Sequence, residues 1–399
     1  MDWWLRSECP SQVVVVGASA AGLYTAWLLA KGGVPVLLLD QAERPGPPAR
    51  TLIVTSRLRG VLDCIAEESI VNRTPGVQMF SPKASVAICL REPDLIVERA
   101  TLIRLLARRA EAAGVEFLRG HRFLGLEPDH GGIYVHSESS TGQRVQLRTR
   151  VLIGADGAGS PVASAVGLDS HTMVFNLQAT VNMPRAADAG VTQVWFEPEL
   201  TRYFFWLIPE SGERAVAGLI ANDRHQAHAS LARFLAAHGL EPLGYQEAPV
   251  PLYNRRVSWR NFSGARVMLV GDAAAQVKVT TVGGLVTGLR GAQAAARAVL
   301  RGTGYGRQSS GLRRELDSHL WIRTVLNRFG PSEYDELLRL VSARTIKVLA
   351  SRTRDEAGRV LALSLLSQPA FAGLAARCLL GMNAASRNRA LARSAQRGL

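Results

Sequence analysis

Four consecutive valines, Val13–Val16, run directly into Gly17, and an unbroken apolar tetrad of that length ended by glycine predicts a buried strand. The Ala/Leu-rich stretch over 20–30 predicts a helix, and a second apolar run over 34–39 predicts another strand that stops at Asp40. Together they form one β-α-β unit. Residues 41–50 are a Pro/Gly loop, 51–55 read as extended, and 56–68 read as a helical crossover. Loose alternation over 77–98 predicts antiparallel strands. The period then changes: from Arg99 to Gly114, Leu102, Leu105, Leu106 and Ala110 make a helical stripe, followed by a strand over 115–118. An arginine opening a helix runs against the helix dipole, which directs attention to an anion near Arg99. Strands near 131–137 and 143–149 lead to a buried strand, a Gly-Ala-Asp-Gly turn and a helix start within 150–168.

Residues 171–220 read as long antiparallel strands, with Phe204, Trp206 and Ile208 on one face and Pro209 closing the strand. Such a face fits either a sheet core or the wall of an apolar pocket. A helix over 229–238 and a polar linker follow. The chain then gives a strand over 267–270, a turn at Gly271-Asp272-Ala273, a loop holding Lys278, Gly283 and Gly284, and an Ala-rich helix over 286–300. Residues 309–399 read as wholly helical. Their last block is strongly apolar but interrupted by Gln368, Pro369 and Arg377, and suits a greasy tunnel, a membrane surface or a core.

Composition bounds this picture. With 399 residues, 47% of them hydrophobic, the chain can bury a large core. Its four cysteines, Cys9, Cys64, Cys89 and Cys378, have no metal-binding or CxxC spacing, which makes a reducing compartment and a cytoplasmic location the default. The polar start argues against a signal peptide, and no run reaches about 18 uninterrupted apolar residues. The net charge is +14, yet residues 301–399 hold 17 Arg and Lys against seven Asp and Glu. That basic tail suits solvated helix faces, anionic lipid or an acidic partner. No motif or aromatic–basic interleaving points to nucleic acid.

Candidate chemistry begins at the first turn. A glycine turn that ends one strand and opens a helix brings backbone N–H groups against a pyrophosphate, and an acid after the next strand can accept from a ribose. Gly17 and Gly22 hold the first and third positions of this fingerprint, Ser19 the second, and Asp40 the acid. Asp156 ends a further strand on the ligand side of such a sheet, and Arg50 is placed to swing back onto the dinucleotide.

Three stretches, GASAAG (17–22), GADG (154–157) and GDAAAQVKVTTVGG (271–284), with Arg99 between them, resemble the glutathione-reductase-type FAD enzymes whose second domain is like that of para-hydroxybenzoate hydroxylase. The last run and FxWxIP (204–209) are most similar to the geranylgeranyl reductase family. The resemblance implies an α/β fold: a Rossmann FAD domain in three parts (1–76, 99–168, 263–300), an inserted antiparallel-sheet substrate domain (77–98, 169–262) and a helical C-terminal region (301–399). It implies that Gly17, Ser19 and Gly22 hold the pyrophosphate and Asp40 the ribose. It sets Arg50 and Arg99 along the cofactor, Gly271 and Asp272 at its ribityl or pyrophosphate portion, and Gly283 and Gly284 at the isoalloxazine, with Asp156 near the nucleotide. The chain departs from the pattern at Ser19, Ala163, Val279 and Val282, and lacks the Cys-Gly-Gly segment frequent in geranylgeranyl reductases.

The main expectation is reduction of carbon–carbon double bonds in an apolar, isoprenoid-like substrate by hydride from flavin N5, with Trp206 at the substrate and Lys278 at the reduced ring or an anionic group. The alternative is a monooxygenase (hydroxylase or epoxidase) or halogenase acting through a C4a-hydroperoxide on an aromatic or polyketide-like substrate. Electrons are expected from NAD(P)H, bound only transiently because no second dinucleotide fingerprint is present, or equally from a reduced carrier protein. Peripheral membrane contact is expected of the tail.

Overall fold

The computed structural model describes residues 5–7, 13–44, 46, 50–169, 171–262 and 264–381. A six-stranded sheet has the order Trp259–Phe262, Ala265–Leu269, Val151–Gly154, Val13–Val16, Val36–Asp40, Glu116–Arg119, parallel except for the antiparallel edge strand Trp259–Phe262. The valine tetrad explains its layering. Val13 and Val15 pack with helices Ala20–Lys31, Arg99–Ala112 and Leu285–Leu300, whereas Val14 and Val16 pack with Phe123, Ile133, Val135 and Leu147 of a second sheet. Both faces are covered, so a continuous apolar run is required where an open sheet would alternate.

The second sheet has four strands in the order Leu5–Ser7, Arg144–Thr149, Gly132–Ser139, His121–Asp129. His121–Asp129 was not anticipated, because its alternation is broken by a bulge between Phe123 and Gly125.

The third sheet has eight strands, in the order Pro242–Pro251, Met173–Asn182, Arg214–Ala221, Phe205–Pro209, Val191–Trp195, Ile70–Ser81, Ala84–Glu98, Thr51–Val54. Only Val191–Trp195 and Ile70–Ser81 pair in parallel. Two of the strands, Thr51–Val54 and Ile70–Ser81, begin before residue 77. The expected polar linker after residue 238 is instead the strand Pro242–Pro251. It lies at the sheet edge with its first half exposed, so it carries no one-sided apolar pattern, and an edge is where flanking prolines are tolerated.

The crossover expected over 56–68 is helical only for Arg57–Leu62; Asp63 adopts φ 52° and a 3-10 segment continues to Ser69. Beyond Leu300 the longer helices are Ser310–Leu326, Pro331–Arg339, Ala343–Ser351, Ala357–Ser367 and Ala370–Leu379. The helix expected over 382–399 lies outside the described residues. Among those described, no single helix is long and apolar enough to cross a membrane.

Candidate active site

A cavity of about 690 Å³ lies where the carboxyl ends of the parallel strands meet the eight-stranded sheet, with Arg323, Leu326, Tyr334 and Arg354 of the tail completing its wall. That volume is within the usual range for small-molecule sites. At one end is the first glycine turn. Gly17 has φ +103°, and a Cβ there would sit 2.5 Å from the Ala155 carbonyl oxygen; a Cβ at Gly22 would sit 2.0 Å from the Gly17 oxygen. Neither position admits a side chain. Ser19 does more than fit: its Oγ accepts from the Gly22 N–H at 3.2 Å and caps helix Ala20–Lys31. Asp40 accepts from the Ala18 and Ala42 N–H groups at 2.5 and 2.7 Å. A carboxylate can accept about four hydrogen bonds, so capacity remains.

Arg50, Arg99 and Asp272 line the same end. Glu98 resolves the oddity of Arg99 at a helix start. Its carboxylate caps the helix by accepting from the Ala100 and Thr101 N–H groups, at 2.9 and 2.6 Å, which frees the Arg99 side chain for the cavity. Burial and the neighbouring Arg99 charge pull Arg50 down to about 10, with Asp272 opposing them. Burial likewise lowers Arg99, and raises Asp272 against the pull of the two arginines. Asp272 is therefore the acid that both cations feel, with Glu98 adding to it at Arg99 alone.

Farther along, Asp272 lies against Gly284, where a Cβ would come within 3.1 Å of its Oδ1. Gly284 opens helix Leu285–Leu300 without a side-chain cap, so N–H groups at that helix start are available to a ligand. Val282, just before it, is buried at φ 50°, a conformation that costs a β-branched residue roughly 1–3 kcal/mol. Gly271 also lines the cavity at φ +64°, and helix Leu285–Leu300 crosses close above it at Gly288.

Lys278 lines the cavity, but its amine is paired with Asp355 of the tail, and both side chains are buried. Asp355 also accepts from Thr55 Oγ1. Although burial alone would raise it, the Lys278 charge and these hydrogen bonds hold the Asp355 carboxyl well below the usual carboxylate range. Beside this pair Arg354 bridges to Asp94, and Thr280 Oγ1 lies 2.7 Å from Nδ1 of the buried His319. Burial, then the Lys278 charge, pushes His319 down to about 3, with Asp355 opposing. Asp156 takes another place. Its carboxylate accepts from Ser160 Oγ at 2.6 Å and from the Val162 N–H at 2.9 Å, tying the turn to helix Pro161–Ala165, while its neighbours Ala155 and Gly157 line the cavity.

The opposite wall is apolar and aromatic. Along Phe205–Pro209, Phe205 and Leu207 pack toward helix Arg224–Ala237, and Trp206 and Ile208 face the cavity. Of the two expectations for the Phe204, Trp206 and Ile208 face, the pocket wall is the one observed, and the packed core lies on the other side of the strand. Gly218 makes room for the Trp206 ring, since a Cβ there would lie 2.6 Å from Trp206 Cζ2. Among the described residues, Arg50 Nε, Trp206 Nε1 and Asn176 Oδ1 are buried without a hydrogen-bond partner, and all three residues line the cavity. Buried polar groups are normally satisfied, so these fit a site completed by a bound molecule. Asp355, Arg354, Asp94 and His319 were missed from sequence. RTRDEAGR reads as an ordinary charged helix surface, and its partners lie up to 300 positions away.

A family model described as FAD binding domain matches residues 10–308. The chain belongs to the FAD-binding-domain family. This family member is 30% identical over 297 residues to geranylgeranyl diphosphate reductase of Rhodobacter capsulatus, spanning 72% of this chain and 74% of that protein. It is 26% identical over 358 residues to digeranylgeranylglycerophospholipid reductase 1 of Methanothermobacter thermautotrophicus, spanning 82% and 89%. In fold it is similar to a geranylgeranyl bacteriochlorophyll reductase-like protein of Thermoplasma acidophilum, with TM-score 0.76 and 20% identity over 88% of this chain and 95% of that one. Within the FAD-binding-domain family it is a geranylgeranyl-reductase-like, FAD-dependent oxidoreductase.

Proposed function

We propose that this flavoprotein reduces carbon–carbon double bonds of an apolar, isoprenoid chain. The observation that carries the reading is the cavity itself: one continuous space joins the glycine turn and its arginines to the apolar wall around Trp206 and Ile208. In this reading Gly17, Ser19 and Gly22 admit the FAD pyrophosphate, Asp40 accepts from a ribose, and Arg50, Arg99, Gly271 and Asp272 flank the linking portion. Gly283 and Gly284 bring backbone N–H groups to the ring, where they favour negative charge. Asp156 holds the turn in shape from behind. When bound, reduced FAD supplies a hydride.

The chain's own contribution is orientation and exclusion of water. Trp206 and Ile208 form the surface on which an alkene chain is pressed, and an unactivated double bond needs such positioning more than it needs a side-chain base. Lys278, with its charge balanced by Asp355, acts on the ring end through the loop it shapes. NAD(P)H or a reduced carrier protein supplies electrons, and the protein works in the cytoplasm with peripheral membrane contact.

The test is anaerobic reduction of the purified yellow protein followed by addition of a prenyl diphosphate or a prenylated lipid. Reoxidation of the flavin with product heavier by two hydrogens per double bond is the expected result. Reoxidation that requires O2 and leaves oxygen in the product would replace this reading with a monooxygenase.

A further inference from the structure

The last two described helices, Ala357–Ser367 and Ala370–Leu379, meet at Gln368–Pro369 at an angle of 113°. Only Ala357, Leu374 and Cys378 among their residues are buried. Leu361, Leu363, Leu366, Leu379 and Leu380 are exposed, Leu366 by 79% and Leu380 by 73%. A surface helix in water ordinarily turns charges outward. Here the charged residues over 357–380 are Arg359 and Arg377 alone, both exposed. Downstream of Glu356 the sequence holds six arginines and no aspartate, glutamate or lysine. Five exposed leucines along two consecutive helices are more apolar exposure than a solvated helix face carries, and mark an interaction surface.

We propose that this bent pair is a membrane-docking surface, lying in the interfacial layer of a bilayer that contains anionic lipid. Its leucines enter the acyl boundary and its arginines stay at phosphate level, the arrangement expected of an interfacial helix. Helices of 11 and 10 residues reach roughly 16 Å each, about half a hydrocarbon core, so they lie in the membrane surface rather than cross it. A second copy of the chain fits less well, because Arg352 and Arg359 share Glu356 and only Arg377 has its own partner in Glu336, so a two-fold contact through this face would gather the arginine excess of both copies. The surface follows directly on Arg354 and Asp355, so it sits in sequence next to residues of the cavity wall. It extends the reading of peripheral contact and a lipid-like substrate, but its support is independent of the cofactor.

The experiment uses the full-length, FAD-loaded protein in flotation with vesicles of phosphatidylcholine or of an equimolar phosphatidylcholine–phosphatidylglycerol mixture. Wild type should float with the anionic vesicles and much less with the neutral ones. The double variant Leu366→Asp/Leu380→Asp should lose partitioning about tenfold or more while keeping its flavin spectrum. Arg359→Gln/Arg377→Gln should lower binding to the anionic vesicles only. Wild type that stays out of the floating fraction, or an aspartate variant that floats as well as wild type, overturns the proposal. So does a wild-type dimer in solution that the aspartate variant dissociates, which would assign the face to a second copy. FAD-loaded wild type that floats but reduces no prenyl double bond would overturn the proposed function and leave this one standing.

Discussion

At the turn end of the cavity Arg50 and Arg99 both feel the one buried carboxylate Asp272, with Glu98 helping only Arg99, whereas at the tail end Lys278 and Arg354 are each in an ion pair of their own, with Asp355 and Asp94. The first arrangement leaves positive charge and an unpartnered Arg50 Nε in the cavity wall. The second is balanced within the polypeptide. A buried charge without a counter-charge is costly, so a protein keeps one where a ligand will neutralise it. The turn end is therefore built to receive an anion such as a dinucleotide pyrophosphate. The tail end is built to hold the flavin-facing loop against the C-terminal helices before anything binds.

The sharpest way to break this contrast is at the tail end. Asp355→Ala removes the acid from a fully buried pair and leaves the Lys278 ammonium uncompensated, which should lower unfolding free energy by about 3–5 kcal/mol in chemical denaturation. Lys278→Met/Asp355→Leu should recover most of that loss, because it removes both charges together. A single variant as stable as wild type would show that the pair does not close the structure.

At the turn end the same logic predicts the opposite balance. Arg50→Met should weaken FAD binding about tenfold to a hundredfold, the worth of one hydrogen bond to a charged group. The FAD-free variant should melt no lower than FAD-free wild type, since Arg50 is disfavoured as a cation until the cofactor arrives. Titration of the FAD-free protein with FAD, alongside its melting temperature, reads both halves. A large loss of stability without FAD would make Arg50 a structural residue and erase the contrast.

This difference also explains what was legible in the sequence. The turn end is written in one local stretch: Val13–Val16, Gly17, Gly22 and Asp40 follow one another along a single β-α-β unit, and each is demanded by backbone geometry. Trp206 and Ile208 were legible for the same reason, because alternation along one strand assigns faces without knowledge of the partner. Lys278 stood out as the lysine of the 271–284 run, but its partner did not. Asp355 lies 77 positions away, in a turn that no local pattern distinguishes from a solvated helix end. The edge strand Pro242–Pro251 escaped similarly, since its pairing with Met173–Asn182 is made by backbone groups and leaves little mark on side-chain choice. Val282 is intermediate. The family resemblance marks it as a departure from the pattern, and the left-handed backbone there is one that favours glycine.

A pH-dependent effect belongs to the tail end as well, at His319. Burial and Lys278 hold it neutral down to about pH 3, whereas the unfolded chain titrates near the ordinary value of 6.5. The unfolded state thus binds a proton that the folded state refuses, and stability falls as pH drops below about 6.5. The slope should approach 1.4 kcal/mol per pH unit between about pH 6 and 4. His319→Gln should flatten that part of the profile relative to wild type. Parallel profiles would mean that His319 is hydrated in the folded protein.

The smallest predicted effect tests the one apparent flaw in the turn itself. Ser19 stands where the fingerprint has glycine, and its Oγ caps helix Ala20–Lys31 by accepting from the Gly22 N–H. Ser19→Gly restores the fingerprint and removes the cap. Glycine is itself tolerated at this position, so stability should fall by only a few tenths of a kcal/mol. The cofactor should be retained, since the approach of a pyrophosphate is set by Gly17 and Gly22, where a Cβ meets backbone atoms at 2.5 and 2.0 Å. Ser19→Val separates the two roles: it loses the cap and adds a branched side chain facing the cavity, and it should lower FAD occupancy as well as stability. If Ser19→Gly instead bound FAD much more tightly than wild type, the serine would be an obstruction that the helix cap merely accommodates.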